Sequence, residues 1–173
     1  MNRIPTSTTL LFALISGQSI ACACVLRSVE IGPVTAENAD TYHGQSAGVE
    51  VLFHNDVQGR PVTVFPEPPM TVRRLTPPGE CVVSDGGVWG RDGVWLSADG
   101  RTLVTTESSG SYEGLVFRDT RSCAKVGELD VSGATWKVEG RSLVLRHADN
   151  RGRAKRVLLD ATCRPAPQGR PRR

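Results

Sequence analysis

Trp95-Leu96-Ser97-Ala98-Asp99-Gly100-Arg101-Thr102-Leu103-Val104, followed by Val116-Phe117-Arg118-Asp119, is answered 40 residues later by Trp136, Glu139-Gly140-Arg141-Ser142-Leu143-Val144 and Val157-Leu158-Leu159-Asp160. A weaker copy lies upstream: Gln58-Gly59-Arg60-Pro61-Val62 precedes Gly100-Arg101 by 41 residues, with His54 where the later copies have tryptophan. Cys81, Cys123 and Cys163 follow the three Gly-Arg steps after 22, 23 and 23 residues. A period near 40 is one of the signatures of stacked or radially repeated β-units. The second and third copies agree position by position; the first agrees in outline. Repeats are therefore expected near 50–81, 94–123 and 135–163.

Short β-branched or apolar runs fill the chain. Val49 to Phe53, Val62 to Phe65, Leu103 to Thr106, Leu115 to Phe117, Val126 to Val131, Leu143 to Leu145 and Val157 to Leu159 are each bounded by Gly, Asp, Ser or Pro, the pattern of strands. No window carries a helical period with caps. Asp99-Gly100 and Glu139-Gly140 read as tight hairpin turns, because glycine supplies the positive φ such turns use. Glu67 to Gly79 and Gly86 to Gly93 read as longer loops.

The Trp95 to Val104 segment with Val116 to Asp119 resembles the blade repeat of TolB-like β-propellers. In that repeat an aromatic residue, a Ser-x-Asp-Gly turn, a strand and a later strand ending in Asp recur once per blade. Trp136 to Asp160 resembles a degraded second blade, with Glu139 in place of the turn aspartate. The likeness covers roughly residues 94–163 and implies a propeller-type meander without implying an activity. Propellers close with about 4–8 blades, more than this chain holds. The expected fold is all-β: a compact, disulfide-stapled antiparallel meander, either a small distorted propeller or a sandwich.

The first 23 residues have the layout of a secretory signal peptide. Arg3 is followed by an apolar stretch from Leu10 to Ile15 and the small triplet Ala21-Cys22-Ala23, an A-x-A cleavage pattern. That stretch is far below the ~20 residues of a membrane-spanning helix. Cleavage after Ala23 leaves Cys24, Cys81, Cys123 and Cys163, an even set suited to two disulfides in an oxidising compartment. Their connectivity is open, and any pairing must join two of the three repeat-equivalent cysteines. Equivalent outer positions on neighbouring blades are expected to exceed the ~4.4–6.8 Å Cα separation of a disulfide. Either the cysteines sit in loops that bend together or the blades do not fan out. A lipid anchor on Cys22 or Cys24 is a further possibility, although neither has leucine three residues before it.

The mature chain of 150 residues is the size of one domain, with a flexible basic tail expected over 164–173. Without the leader it carries 20 basic and 18 acidic residues, four of the basic ones in that tail. So balanced a charge implies no nucleic-acid-binding face. The 3 lysines against 18 arginines suggest a GC-rich bacterial genome.

Catalytic patterns are weak. Gly44-Gln45-Ser46-Ala47-Gly48 matches the G-x-S-x-G nucleophile elbow, which requires a strand before the serine and a helix after it. Ala39 to His43 is a poor strand and Val49 opens a strand, so a loop is expected. His43, His54 and His147 are scattered, and no C-x-x-C pair suggests zinc. No cofactor is implied. Recognition is better represented. Gly87-Val88-Trp89-Gly90-Arg91-Asp92-Gly93-Val94-Trp95 repeats a Gly-Val-Trp triplet, and Trp and Arg are enriched among interface hot spots. Trp95 and Trp136, on the repeat position, are expected in the core. Ser108 to Gly114, with Tyr112, has the composition of a binding loop or a long hairpin connection. The sequence thus points to an exported, non-enzymatic protein that binds a protein partner in the bacterial envelope through Trp89, Arg91 and Tyr112, as an inhibitor or immunity protein would. The alternatives are a small exported hydrolase using Ser46 and a structural lipoprotein.

Overall fold

The computed structural model describes residues 24–35, 40–55, 61–66, 69–147 and 153–166. They form strands β1 (Leu26–Ser28), β2 (Gly32–Pro33), β3 (Thr41–Ser46), β4 (Val49–His54), β5 (Val64–Phe65), β6 (Met70–Leu75), β7 (Pro78–Val83), β8 (Val88–Ser97), β9 (Thr102–Ser109), β10 (Tyr112–Asp119), β11 (Lys125–Asp130), β12 (Ala134–Glu139), β13 (Ser142–His147) and β14 (Ala154–Leu158). The strands build three antiparallel sheets in chain order. The first is β2-β3-β4-β6-β7, the central one β1-β8-β9-β10-β11 with β5 added to β8, and the third β12-β13-β14.

Side-chain alternation shows how the sheets stack. Leu103 belongs to a core shared with Val51, Phe53, Met70 and Val72 of the first sheet. Its neighbour Val104 belongs to a second core, with Leu143, Leu145 and Val157 of the third. Successive residues of a strand face opposite sides, so the central sheet is covered on both faces. That explains why Thr102-Leu103-Val104-Thr105 is buried without interruption, whereas β4 alternates buried and part-exposed positions. Neither core joins the first sheet to the third. Among the described residues the sheets are therefore layered as a sandwich and do not close into a propeller.

Two segments of the chain end alike. β8-β9-β10 and β12-β13-β14 are each three-stranded meanders ending in an aspartate and a cysteine turn. The Asp119 carbonyl accepts the Cys123 N–H at 2.8 Å and the Asp160 carbonyl accepts the Cys163 N–H at 3.1 Å. Cys123 and Cys163 both adopt positive φ, 59° and 65°. The upstream Gly59-Arg60 step lies outside the described residues. Cys81 sits within β7 instead of in a turn.

Disulfides join Cys81 to Cys123 and Cys24 to Cys163, with Cα separations of 5.7 and 5.0 Å. The first links the outer strand of the first sheet to the turn after β10; the second links the start of the central sheet to the turn after β14. Each staple thus holds one outer sheet to the central one. Neighbouring repeat-equivalent cysteines do meet, because the sheets stack rather than fan. Since the Cys24 sulfur is committed to Cys163, it is not free to carry a lipid; Cys22 lies outside the described residues.

Two expected loops are strands. β6 and β7 occupy most of Glu67 to Gly79 and beyond, with Met70 and Val72 pointing inward while Arg73 pairs across strands with Glu80 and Glu50 at 3.1 and 2.9 Å. The Arg73-Arg74 and Pro77-Pro78 pairs mask this short alternation in the sequence. Gly86 to Gly93 contributes to β8, whose register shifts between Trp89 and Val94 in a bulge, a common place for glycine.

The two hairpin glycines differ in one respect that can be measured. Gly100 and Gly140 have φ of 68° and 61°, but a Cβ on Gly100 would lie 2.5 Å from the Ala47 carbonyl oxygen, whereas Gly140 faces open space. Gly140→Ala is expected to cost about 1–2 kcal/mol, the left-handed penalty alone. Gly100→Ala is expected to cost clearly more. Paired urea titrations check this; equal losses would mean that the β3–β4 and β8–β9 turns do not touch.

Candidate functional site

Trp89 does not stand on the surface. It is 0% exposed, and its ring lies 5.8 Å from that of Phe53 in the first core. β8 turns it toward the first sheet, and Gly86, whose Cα lies close against the indole, lets the Ser84–Gly87 segment cover it. The expectation that Trp89 contacts a partner is therefore corrected: it is a core residue.

Arg91, at the β8 bulge, donates from Nε to the Ile31 carbonyl at 2.6 Å and lies 5.8 Å over the Tyr42 ring. Half-buried, it is held by these contacts on the rim of an open groove. Tyr112 begins β10, and its hydroxyl donates to Glu128 at 2.7 Å. Ser108 to Gly114 is not a long connection: only Gly110 and Ser111 separate β9 from β10. The tip, Ser109 to Ser111, is exposed.

Tyr112 and Arg91 do not touch. Leu115 and Phe117 of β10 face the third sheet, so Tyr112, at even spacing from Arg118, points to the other face with Glu128. The hydrogen bond to Glu128, then burial and the nearby carboxylates, push the Tyr112 hydroxyl up to about 12. A raised acid pKa means that the stability from this contact is complete below the unfolded value of about 10 and is lost as pH rises from there through 12. A phenolate absorbance titration is expected to show one of the two tyrosines ionising near 12, and Glu128→Gln is expected to return it toward 10. An unchanged titration in that variant would remove the assignment.

On the other face, Trp95 and Trp136 meet edge to face with centroids 4.7 Å apart. They pack against the second core, as their place in the repeat suggested, yet both stay partly exposed. They floor an open groove of about 680 Å³ between the central and third sheets, rimmed by Arg91, Asp92, Glu113 and Thr135. Aromatic residues and arginine are among the types enriched at protein interfaces. Sequence reasoning found the tryptophans and Arg91 but not the groove, because its two walls come from residues some 40 positions apart.

Ser46 ends β3, and Ala47-Gly48 turn the chain directly into β4, with φ of 49° and 73°. A strand does precede the serine, contrary to expectation, but a strand also follows, so the strained strand-to-helix turn of a nucleophile elbow is not formed. His43 is bound to Glu50 at 2.9 Å, which also holds Arg73. Among the described residues no three His, Cys, Asp or Glu side chains cluster to hold a metal.

A rigid, doubly stapled all-β frame that presents a hairpin tip and an aromatic groove defines a recognition scaffold. The family model for the immune protein Tsi1 matches residues 24–155. The immune protein Tsi1 of Pseudomonas aeruginosa is 35% identical over 146 residues, covering 84% of this chain and 83% of that protein. This chain belongs to the Tsi1 immune protein family.

Proposed function

We propose that this protein is a periplasmic immunity protein that binds an envelope-targeting enzyme and blocks it without performing chemistry of its own. The observation that carries this reading is family membership across most of the chain. The two disulfides fit an oxidising compartment and supply a rigid frame, which lowers the ordering cost of association. Contact is made by the β9–β10 tip, with Tyr112 at its base on the face away from the groove, and by the groove itself with Arg91, Trp95 and Trp136, the residue types in which binding energy concentrates.

The test is affinity capture with the mature, oxidised protein from an extract of its own cell envelope, followed by assay of the retained protein's activity. One stoichiometric partner, inhibited by this chain, is expected; a clean protein would overturn the reading. Tyr112→Ala and Trp136→Ala are each expected to weaken the complex by about 2 kcal/mol, roughly thirtyfold in Kd. Ser46→Ala should leave it unchanged.

A further inference from the structure

The end of the central sheet opposite the β9–β10 tip is built differently. Turns associated with all three sheets converge there on a cleft of about 520 Å³: Ala47-Gly48 and Thr76-Pro77 from the first, Asp99 to Arg101 and Asp119 to Arg121 from the central one, and Thr162 with Arg164 from the segment after β14. Four arginines and two aspartates line it. The aspartates are already occupied. Asp99 Oδ1 accepts the Ser97 hydroxyl at 2.6 Å and the Arg101 N–H at 3.1 Å. Asp119 Oδ1 accepts the Arg121 and Ser122 N–H groups at 3.0 and 3.1 Å, and its Oδ2 accepts from Arg164. Burial pushes the Asp119 carboxyl up, but the donors from Arg121, Arg164 and Ser122 outweigh it and hold the group below its ordinary value.

The cations are not equally satisfied. Arg164 is tied to Asp119, and Arg101 lies 3.8 Å from Asp99. Among the described residues Arg74 and Arg121 have no acidic partner, and the Arg74 Nε is buried with no acceptor at all. Arg74 lies across from Gly79 on β7, and a Cβ there would come within 2.3 Å of its Nη2. A buried guanidinium donor without an acceptor costs free energy in the unbound protein, which leaves Arg74 the least compensated of the four cations.

We propose that this cleft binds the carboxylates of an acidic protein segment. Guanidinium forks match carboxylates with two parallel hydrogen bonds. A singly charged carboxylate can pair with each open arginine, whereas a phosphate dianion would crowd two charges against Asp99 and Asp119 on the same wall. The volume falls within the ~300–1,000 Å³ of ligand pockets, room for a few residues of an extended segment. The site does not rest on the enzyme-blocking reading. The eight residues of β9 place it about 26 Å from the hairpin tip at ~3.3 Å per residue.

The experiment uses the isolated mature, oxidised protein and a capped tetraglutamate peptide at low salt, following the arginine Nε–Hε signals by NMR. Saturable shifts at Arg74 and Arg121 are expected, with none from tetraglutamine. Arg121→Gln is expected to weaken binding at least tenfold and Arg121→Lys to restore part of it. Arg121 is exposed in a turn, so this variant leaves the packing intact; Arg74→Gln, which vacates the face of Gly79, serves as a second probe once its melting temperature is matched to the parent. Absence of saturable shifts, or unaltered affinity in Arg121→Gln, would overturn the proposal. So would displacement by inorganic phosphate at equal concentration, which would make the cleft a general anion site.

Discussion

Replacing Cys24 and Cys163 together by serine is expected to remove about 2–5 kcal/mol of unfolding free energy. The bridge spans 139 residues of sequence, and closing a loop of that length restricts the unfolded chain by about 5 kcal/mol in the entropic account. The Cys81–Cys123 bridge spans 42, for about 4 kcal/mol by the same account. The larger effect is therefore assigned to Cys24–Cys163, and its location sharpens the expectation. The third sheet has three strands, and within the second core it is held by one apolar face, by Trp136 against Trp95, and by this bridge. Its loss should loosen β12-β13-β14 ahead of the rest. Urea denaturation of the double variant, with hydrogen exchange resolved by residue, checks both statements. A loss below about 0.5 kcal/mol, or exchange that accelerates equally in all three sheets, would show that the bridge is dispensable to the layering. Double replacement is the correct comparison, since Cys163 is buried and a lone thiol there would add effects of its own.

Arg118→Met is expected to cost about 3–5 kcal/mol, the range for breaking a buried ion pair from one side. The Arg118 side chain is 2% exposed and lies 3.2 Å from Glu107, itself 10% exposed, and 3.1 Å from Asp85. It also donates to the Asp85 carbonyl at 3.0 Å, while Thr105 donates to Glu107 at 3.1 Å. Arg118 therefore ties β10 to β9 and to the segment that covers Trp89. Removing it strands Glu107 in the interface between the central and first sheets, with one hydroxyl for company. Changing both partners, Arg118→Met with Glu107→Leu, should recover most of the loss, because no uncompensated charge is then left. If the double variant is no more stable than Arg118→Met, the cost lies in packing and not in the orphaned carboxylate. Denaturant titration of the two variants and of Glu107→Leu alone completes the cycle.

The tight turns at Gly100 and Gly140, the strands on either side of them and the pairing capacity of four cysteines were legible in the sequence, because each depends on residues close along the chain. Positive φ favours glycine, and Leu103-Val104 and Leu143-Val144 carry enough β-branched and apolar surface to mark strands by themselves. Val116 to Asp119 and Val157 to Asp160, matched in the sequence, lie at the ends of β10 and β14. What the tertiary structure decided was which face of each strand is covered. Trp89 and Trp95 look alike in the sequence, six residues apart within one Gly-Val-Trp repetition. The bulge between Trp89 and Val94 and the layering of the sheets bury the first completely beneath the first sheet and leave the second on the floor of a groove. Arg91 and Tyr112 were visible as residues suited to contact, but what each touches, Ile31 and Tyr42 for the first and Glu128 for the second, follows from the tertiary packing. Arg74 and Arg121 drew no notice at all: they come from strand β6 and from the turn after β10, 47 residues apart, and only the stacking of the sheets, stapled through Cys81 and Cys123, brings them to one cleft. Turn chemistry acts over a few bonds and can be read locally; burial and convergence depend on which surface packs against which, and that is settled only when the whole chain has folded.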